Sequence, residues 1–197
     1  EELMKKIEVD KASAAETKAV VEVEEAAASA KAAECKEIKD SAEAGLAEAL
    51  PALAAAVECL KNLKQSDISE VAKYSKPPDL VVLVLKGLCI MFSVPPVKEG
   101  QAGAKTDNWW IPGKKMLGNA KEILDKMFDY DKDNIPDKVI KQIQPVIDDA
   151  NFQPSKIKSV SSACEAMCQW TRAMHTYHFV ALEVEPKRVA LKGAMAE

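Results

Sequence analysis

Aromatic residues make up only 5% of this 197-residue chain, it holds just seven glycines and two histidines, and no apolar run exceeds six residues. Each scarcity excludes something. Sheets draw on aromatic residues, and their turns on glycine, so the composition leans helical. A membrane-spanning helix needs about 18 consecutive apolar residues, and Leu80–Leu85 is far too short. Two histidines leave no Ser/His/Asp or Cys/His constellation to assemble. The five cysteines (Cys35, Cys59, Cys89, Cys164 and Cys168) are odd in number and include no C-x-x-C pair. They read as reduced thiols packed as small apolar residues in a cytosolic compartment. A net charge of −4 and a pI near 5.4 argue against nucleic-acid binding by bulk charge. The opening Glu1-Glu2-Leu3-Met4 has neither an initiator Met nor a signal-peptide layout, and reads as a stretch excised from a longer chain.

What is present is enough for a core: 48% apolar and 29% charged residues. The charge is uneven. Residues 1–50 carry 13 acids against 7 bases, and the rest carries 18 against 20, so the negative total belongs to the N-terminal arm. Within the remainder, residues 61–98 hold six Lys against three acids, while residues 121–150 hold eight acids against five bases. If these segments fold apart, a globular part with opposed faces results; the plainer reading is solvated helix surface.

Residues 1–50 lack proline, contain one glycine and include fourteen alanines, mostly among Glu and Lys, which is strong helix chemistry. Small or apolar residues recur at Leu3, Ile7, Ala14, Val21, Ala28 and Cys35 as a weak coiled-coil seam. From Cys35 the pattern runs Ile38, Ala42, Leu46 and Leu50, three successive steps of four, before Leu53, Val57, Leu60 and Leu63 restore threes and fours. Such a stutter changes the local winding of a coil. Pro51 follows it and is expected to kink the helix. A second seam lies near the C-terminus: Trp170, Met174, Tyr177, Ala181, Val184, Arg188, Leu191 and Met195 step by four and three without a break, and the stretch contains one proline, Pro186. Two seamed helices flanking a compact middle, whose ends tend to lie close together, pair antiparallel. The expected fold is therefore all-α, a small helical globular tip on an antiparallel two-helix coiled-coil stalk. The first stalk helix is expected over 1–50, the helical domain over 51–185, and the start of the second stalk helix over 186–197.

The middle reads as short helices. One ends by Lys73–Lys76 before Pro77-Pro78, and a second spans Asp79–Phe92 with Leu80, Val81, Val84, Leu88 and Met91 inward. Residues 93–108 read as a loop, with flexibility preferred over a contact role. Helices near 114–128 and 136–148 follow, and Pro154-Ser155 opens a helix running into the second seam.

Three apparent motifs fail on spacing. Pro112-Gly113-Lys114-Lys115 has Asn108 where a phosphate loop needs its first Gly, and Lys115 where it needs Ser or Thr. Asp129–Asn134 resembles a calcium loop, but Asn134 replaces the Gly and Ile140 the bidentate Glu, so an Asp-rich helix cap is the better reading. Cys164, Cys168, His175 and His178 fall on one predicted helix, where eleven residues cover about 16 Å, too far for ligands of one zinc ion.

Other residues are informative as a set. Leu50-Pro51-Ala52-Leu53, Asp67-Ile68-Ser69-Glu70-Val71, Pro77-Pro78 with Val81 and Val84, and Trp110 followed by Lys114-Lys115 and Leu117 form one part. Tyr130-Asp131-Lys132-Asp133-Asn134-Ile135-Pro136, Phe152-Gln153-Pro154, Ser161, Ala163, Trp170, Ala173-Met174, Tyr177 and Pro186-Lys187-Arg188 form the other. Across about residues 46–192 this resembles the stalk and microtubule-binding domain of dynein heavy chains, axonemal and inner-arm-like. The resemblance implies a motor-protein element of the cytoskeleton, in the axoneme of a cilium or flagellum, that binds tubulin. It implies no catalysis and no cofactor here, with the ATPase ring elsewhere in the heavy chain. The implied partners are the microtubule, the rest of the heavy chain and an axonemal accessory chain, and neither nucleic acid nor membrane. Carried over by position, the implied microtubule-binding residues are Lys61, Lys64, Lys73, Lys114, Lys115, Lys156 and Lys158, and Pro51 and Pro186 mark the stalk–tip junction. Gln65 and Ser159 stand where relatives often carry a base, which points to weaker binding. The resemblance further implies that affinity follows the register of the two stalk helices. The rival reading is a helical scaffold for another protein, with no role at tubulin.

Overall fold

The computed structural model describes the backbone of residues 2–100 and 105–196, and their side chains except those of residues 2, 3, 48, 195 and 196. The seam positions Leu3 and Met195 and the centre of the 93–108 segment fall outside the described side chains. By contact, the chain divides into two units: Glu1–Gly45 with Glu183–Glu197, and Leu46–Leu182.

Two long helices contribute to both units, α1 (Glu2–Asn62) and α8 (Ser162–Ala196). The alanine-rich sequence carries α1 for 61 residues, with Pro51 inside the helix. A proline there removes only the N–H that would bond four residues back. In the first unit the pairing of α1 with α8 is antiparallel. A methyl built on Gly45 would lie 3.2 Å from Val184, and Lys187 Nζ donates to Ser41 Oγ at 2.9 Å. Further along, Ala28, Ala32 and Cys35 line a shallow groove with Leu191 and Ala194. The expected all-α antiparallel pair is present, with one correction to its seams: Lys187 faces α1, whereas Arg188 is exposed and pairs with Glu185 on its own helix.

The second unit holds the core. Between its ends run α2 (Gln65–Ala72), α3 (Asp79–Met91), α4 (Trp110–Leu117), α5 (Ala120–Phe128), α6 (Asp137–Ile147) and the single turn α7 (Pro154–Ile157). The most apolar of these, α3, is the centre: Val81, Val84, Leu85 and Leu88 are fully buried, and α4 and α6 pack against it. Its span matches the expectation over Asp79–Phe92. The approach of α4 depends on Gly113, where a Cβ would lie 2.7 Å from that of Leu85. Trp170 of α8 stacks on Phe92 at 5.7 Å, and Tyr130 meets both rings edge-on.

Along α1 in this unit, Ala49, Leu53, Ala56 and Leu60 are buried and Leu50 is 46% exposed. The stutter is therefore shorter than expected: Ile38, Ala42 and Leu46 give two steps of four, and Ala49 then takes the inward position. A small residue lets the helix approach its neighbours closely, which turns Leu50 outward.

Residues 93–108 are more than a loop. Val97–Glu99 (β1) pairs antiparallel with Thr106–Asn108 (β2) in the register Val97↔Asn108, Lys98↔Asp107 and Glu99↔Thr106. Polar cross-strand pairs make the hairpin: Lys98 with Asp107, and Asn108 Nδ2 with Glu99 at 2.8 Å. Strand patterning by alternating apolar residues is absent, so the sequence did not signal it. Gln101–Ala104, the centre of the segment, lie outside the described residues. Two expected helices are also interrupted. Gly118-Asn119 separates α4 from α5, with Asn119 capping Glu122 N at 3.2 Å. Residues 158–161 separate α7 from α8.

Candidate functional site

All seven lysines implied by the resemblance are exposed and lie near helix ends. Lys61 is in the last turn of α1, and Lys64 immediately precedes α2. The backbone N–H of Lys64 donates to Asp67 at 3.3 Å, fixing the start of α2 while leaving the ammonium in solvent. Cys59 Sγ donates to Gln169 Oε1 at 3.1 Å, so α1 ends beside the beginning of α8. Lys158, one residue past α7, reaches Glu165 in the first turn of α8 at 4.0 Å. Lys61, Lys64 and Lys158 thus belong to the same end of the α1–α8 pair.

Lys73 caps the other end of α2. Lys114 and Lys115 occupy the last turn of α4, and Lys114 Nζ donates to the carbonyl of Tyr74 at 3.3 Å, one residue beyond Lys73. Six of the seven lysines therefore form two groups at the two ends of α2, a helix of eight residues, or about 12 Å.

These side chains are not equivalent. Lys114 is held inward by Tyr74 O and by the face of Trp110, 5.5 Å from the ring centroid. Lys156 folds back on the carbonyl of Ala150 at 2.7 Å. Lys61 pairs with Glu58 at 3.6 Å, and Lys158 with Glu165. Among the described residues, the ammonium groups of Lys64, Lys73 and Lys115 have no ion pair or hydrogen bond. Sequence reasoning did not single out Tyr74, whose carbonyl joins α2 to α4. Trp110 is a second partner of Lys114, and its i,i+4 spacing was the one available signal.

The prolines implied at the junction lie inside continuous helices, Pro51 in the unit Leu46–Leu182 and Pro186 in the unit containing Glu183–Glu197.

The rejected motifs fall in ordinary structure. Pro112–Lys115 is helical in α4. Asp131 accepts from Asp133 N at 3.3 Å and caps a 3-10 turn over Lys132–Asn134. Cys164 and Cys168 are buried on α8, and burial pushes their thiols up to about 11 and about 12, so both remain protonated near neutrality. Among the described residues, no cluster of His, Cys, Asp and Glu has metal-binding geometry, and no helix is long and apolar enough to cross a membrane.

Paired antiparallel helices and a helical unit with cations at its helix ends define the class. The family profile described as the microtubule-binding stalk of dynein motor matches residues 1–197, and the chain belongs to that family. It is 48% identical over 193 residues to mouse dynein axonemal heavy chain 1, covering 97% of this chain, and 43% identical over 197 residues to human dynein axonemal heavy chain 6, covering all of it. The chain spans about 4% of the length of each of these relatives. Among solved structures, the microtubule-binding domain of dynein-c is similar with a TM-score of 0.64 and 42% identity, covering 74% of this chain and 95% of that one.

Proposed function

We propose that the unit Leu46–Leu182 is the microtubule-binding element of an axonemal dynein heavy chain. It docks through the lysines at the two ends of α2. Stalk helices flank it on both sides, and Pro51 and Pro186 lie close to the two boundaries of the unit. This stretch acts as a binding module, and the parent motor's ATPase lies elsewhere in the heavy chain, within a cilium or flagellum.

One observation carries the reading: three exposed ammonium groups, Lys64, Lys73 and Lys115, with no competing internal partner and spread across α2 and α4. Tubulin's acidic surface supplies the opposite charge, and such rim contacts give orientation and on-rate, screened by salt. Lys61 and Lys158 must leave an intramolecular carboxylate to contribute, and Lys114 and Lys156 a carbonyl, so their share is smaller. The test is co-sedimentation with polymerised tubulin at low and raised salt. Pelleting that weakens with salt and with Lys64→Glu supports the assignment. Material that stays in the supernatant at low salt refutes it and leaves the scaffold reading.

The affinity is switchable through helix register. The steps of four at Ile38, Ala42 and Leu46, together with small residues at Ala42, Gly45 and Ala49, supply a seam that two registers can share at a cost of a few kcal/mol. A slide of one turn moves α1 by about 5.4 Å, enough to displace Lys61 and Lys64. In a Cys35→Ala background, a disulfide in Gly45→Cys/Val184→Cys holds the observed register, and one in Ser41→Cys/Val184→Cys holds a register four residues away. Equal microtubule affinity of the two forms would refute the switch.

A further inference from the structure

Within the unit Leu46–Leu182, α1 and α8 are attached to the remaining helices by different chemistry. The α8 attachment adds polar, directional bonds to a buried apolar face that includes Met167, Trp170 and Met174. Arg172 Nη1 donates to the carbonyls of Ile147 and Phe152 at 3.1 and 2.9 Å. These carbonyls lie at and just beyond the C-terminal end of α6, where a cation also meets the negative end of the helix dipole. One turn on, a 2.8 Å bond joins His175 Nε2 and Gln144 Oε1 of α6. Tyr177 OH donates to Asp133 Oδ1 at 2.6 Å in the 3-10 turn before α6, and Lys132 lies over the Tyr177 ring. Three side chains spaced over six residues thus grip α6 and its approach.

The α1 attachment is apolar. Ala49, Leu53, Ala56 and Leu60 are buried, and Cys59–Gln169 is the one hydrogen bond from a described side chain of residues 46–62 to another element. A slide of four residues exchanges one small or apolar residue for another along this face: Gly45 for Ala49, Ala49 for Leu53, Ala52 for Ala56 and Ala56 for Leu60. Contacts of this kind are non-directional and survive translation. Bonds of 2.6–3.1 Å do not, because a slide of one turn, about 5.4 Å, takes them far outside hydrogen-bonding range.

We propose that Arg172, His175 and Tyr177 with Asp133 form an axial lock of α8 on α6. Tyr177 and Asp133 are its key positioning pair, and none of the four need touch the filament. The lock denies α8 the freedom to move with its partner, so a change of stalk register has to appear as movement at the α1 end and at Lys61 and Lys64. This inference rests on the register reading above for its consequence, but the lock itself is a separate physical claim.

The two disulfide forms described above, labelled with 5-fluorotryptophan, test both. Trp170 sits on α8 against Phe92 and Tyr130, so its fluorine resonance reports the axial position of α8. In the parent sequence, the Trp170 resonance is expected to coincide in the two registers while microtubule affinity differs. Tyr177→Phe removes only the hydroxyl. With that substitution the Trp170 resonance should differ between registers, and the affinity ratio should fall about threefold or more toward unity. Asp133→Asn keeps an acceptor and should behave as the parent. Arg172→Gln is the second variant, read only where circular dichroism shows an intact helical fold. A Trp170 resonance that moves between registers in the parent overturns the lock. So does one that stays fixed in both Tyr177→Phe and Arg172→Gln. Equal affinities of the parent forms defeat the register reading alone, and the resonance still decides the lock.

Discussion

Residues 4–34 and the unit Leu46–Leu182 are both helical for opposite reasons. In the first stretch Met4, Val9, Val20 and Val23 are at least half exposed, and all but one of the described side chains face solvent. Helicity there follows from alanine, Glu and Lys, with i,i+4 pairs such as Lys18–Glu22 adding tenths of a kcal/mol. In the second, short helices with breaks at Gly118, Asp129 and Asp148 hold because each buries a face against α3 or its neighbours. Propensity supports the one and packing the other, so substitutions of the same kind should have unlike effects.

The largest contrast is in core truncation. Ile143→Ala removes a fully buried side chain and should cost about 2–5 kcal/mol, whereas Val21→Ala, at a 51% exposed site, should stay within about 0.5 kcal/mol. Urea unfolding monitored by circular dichroism measures both, and equal costs would break the comparison. Next comes a pair of glycines. Gly113→Ala forces a methyl to 2.7 Å from Leu85 and should destabilise by about 1–3 kcal/mol. Gly193→Ala meets nothing within 4 Å in helical α8 and should stabilise by about 0.5–1 kcal/mol. Opposite signs of the shift in Tm are the expected outcome.

A smaller effect separates the charges. Lys73→Glu or Lys115→Glu should weaken microtubule co-sedimentation about two- to fivefold at low salt and reduce its salt dependence. Lys18→Glu, in the exposed arm, should do neither, and Lys114→Glu should lower thermal stability as well as binding, because it also detaches Tyr74 and Trp110. The smallest effect is in pH. Burial, with help from the neighbouring His178, holds the His175 imidazole below its ordinary value of 6.5 despite the opposing Asp148. The folded state therefore resists protonation more than the unfolded chain does. The corresponding stability is fully present above pH 6.5 and declines as pH falls through the lowered value. His175→Gln should flatten that part of the Tm–pH curve. An unchanged slope would remove His175 as its source.

Much of this was legible from residue order. The α3 span and the helix stop before Pro77-Pro78 depend on local spacing, and the family resemblance on particular residues in order over about 46–192. The hairpin at 97–108 was missed because its strands are short and polar, held by cross-strand pairs that no alternation of apolar residues announces. Leu50 was placed inward because it continues the steps of four, but Ala49 won the position by permitting closer approach. The seven lysines were visible as residues, but their differences were not. Whether an ammonium is committed to Tyr74 O, Ala150 O or Glu165 depends on partners as many as 40 positions away.

Residue order alone determined that this chain is helical and broadly where its apolar faces fall, because propensity and periodicity act over a few residues, and the named residues over about 46–192 carry the family resemblance. The tertiary structure decided which cations remain available to a partner and which helix is held by directional bonds. Both depend on distances of about 3 Å between segments remote in sequence, and only packing sets those.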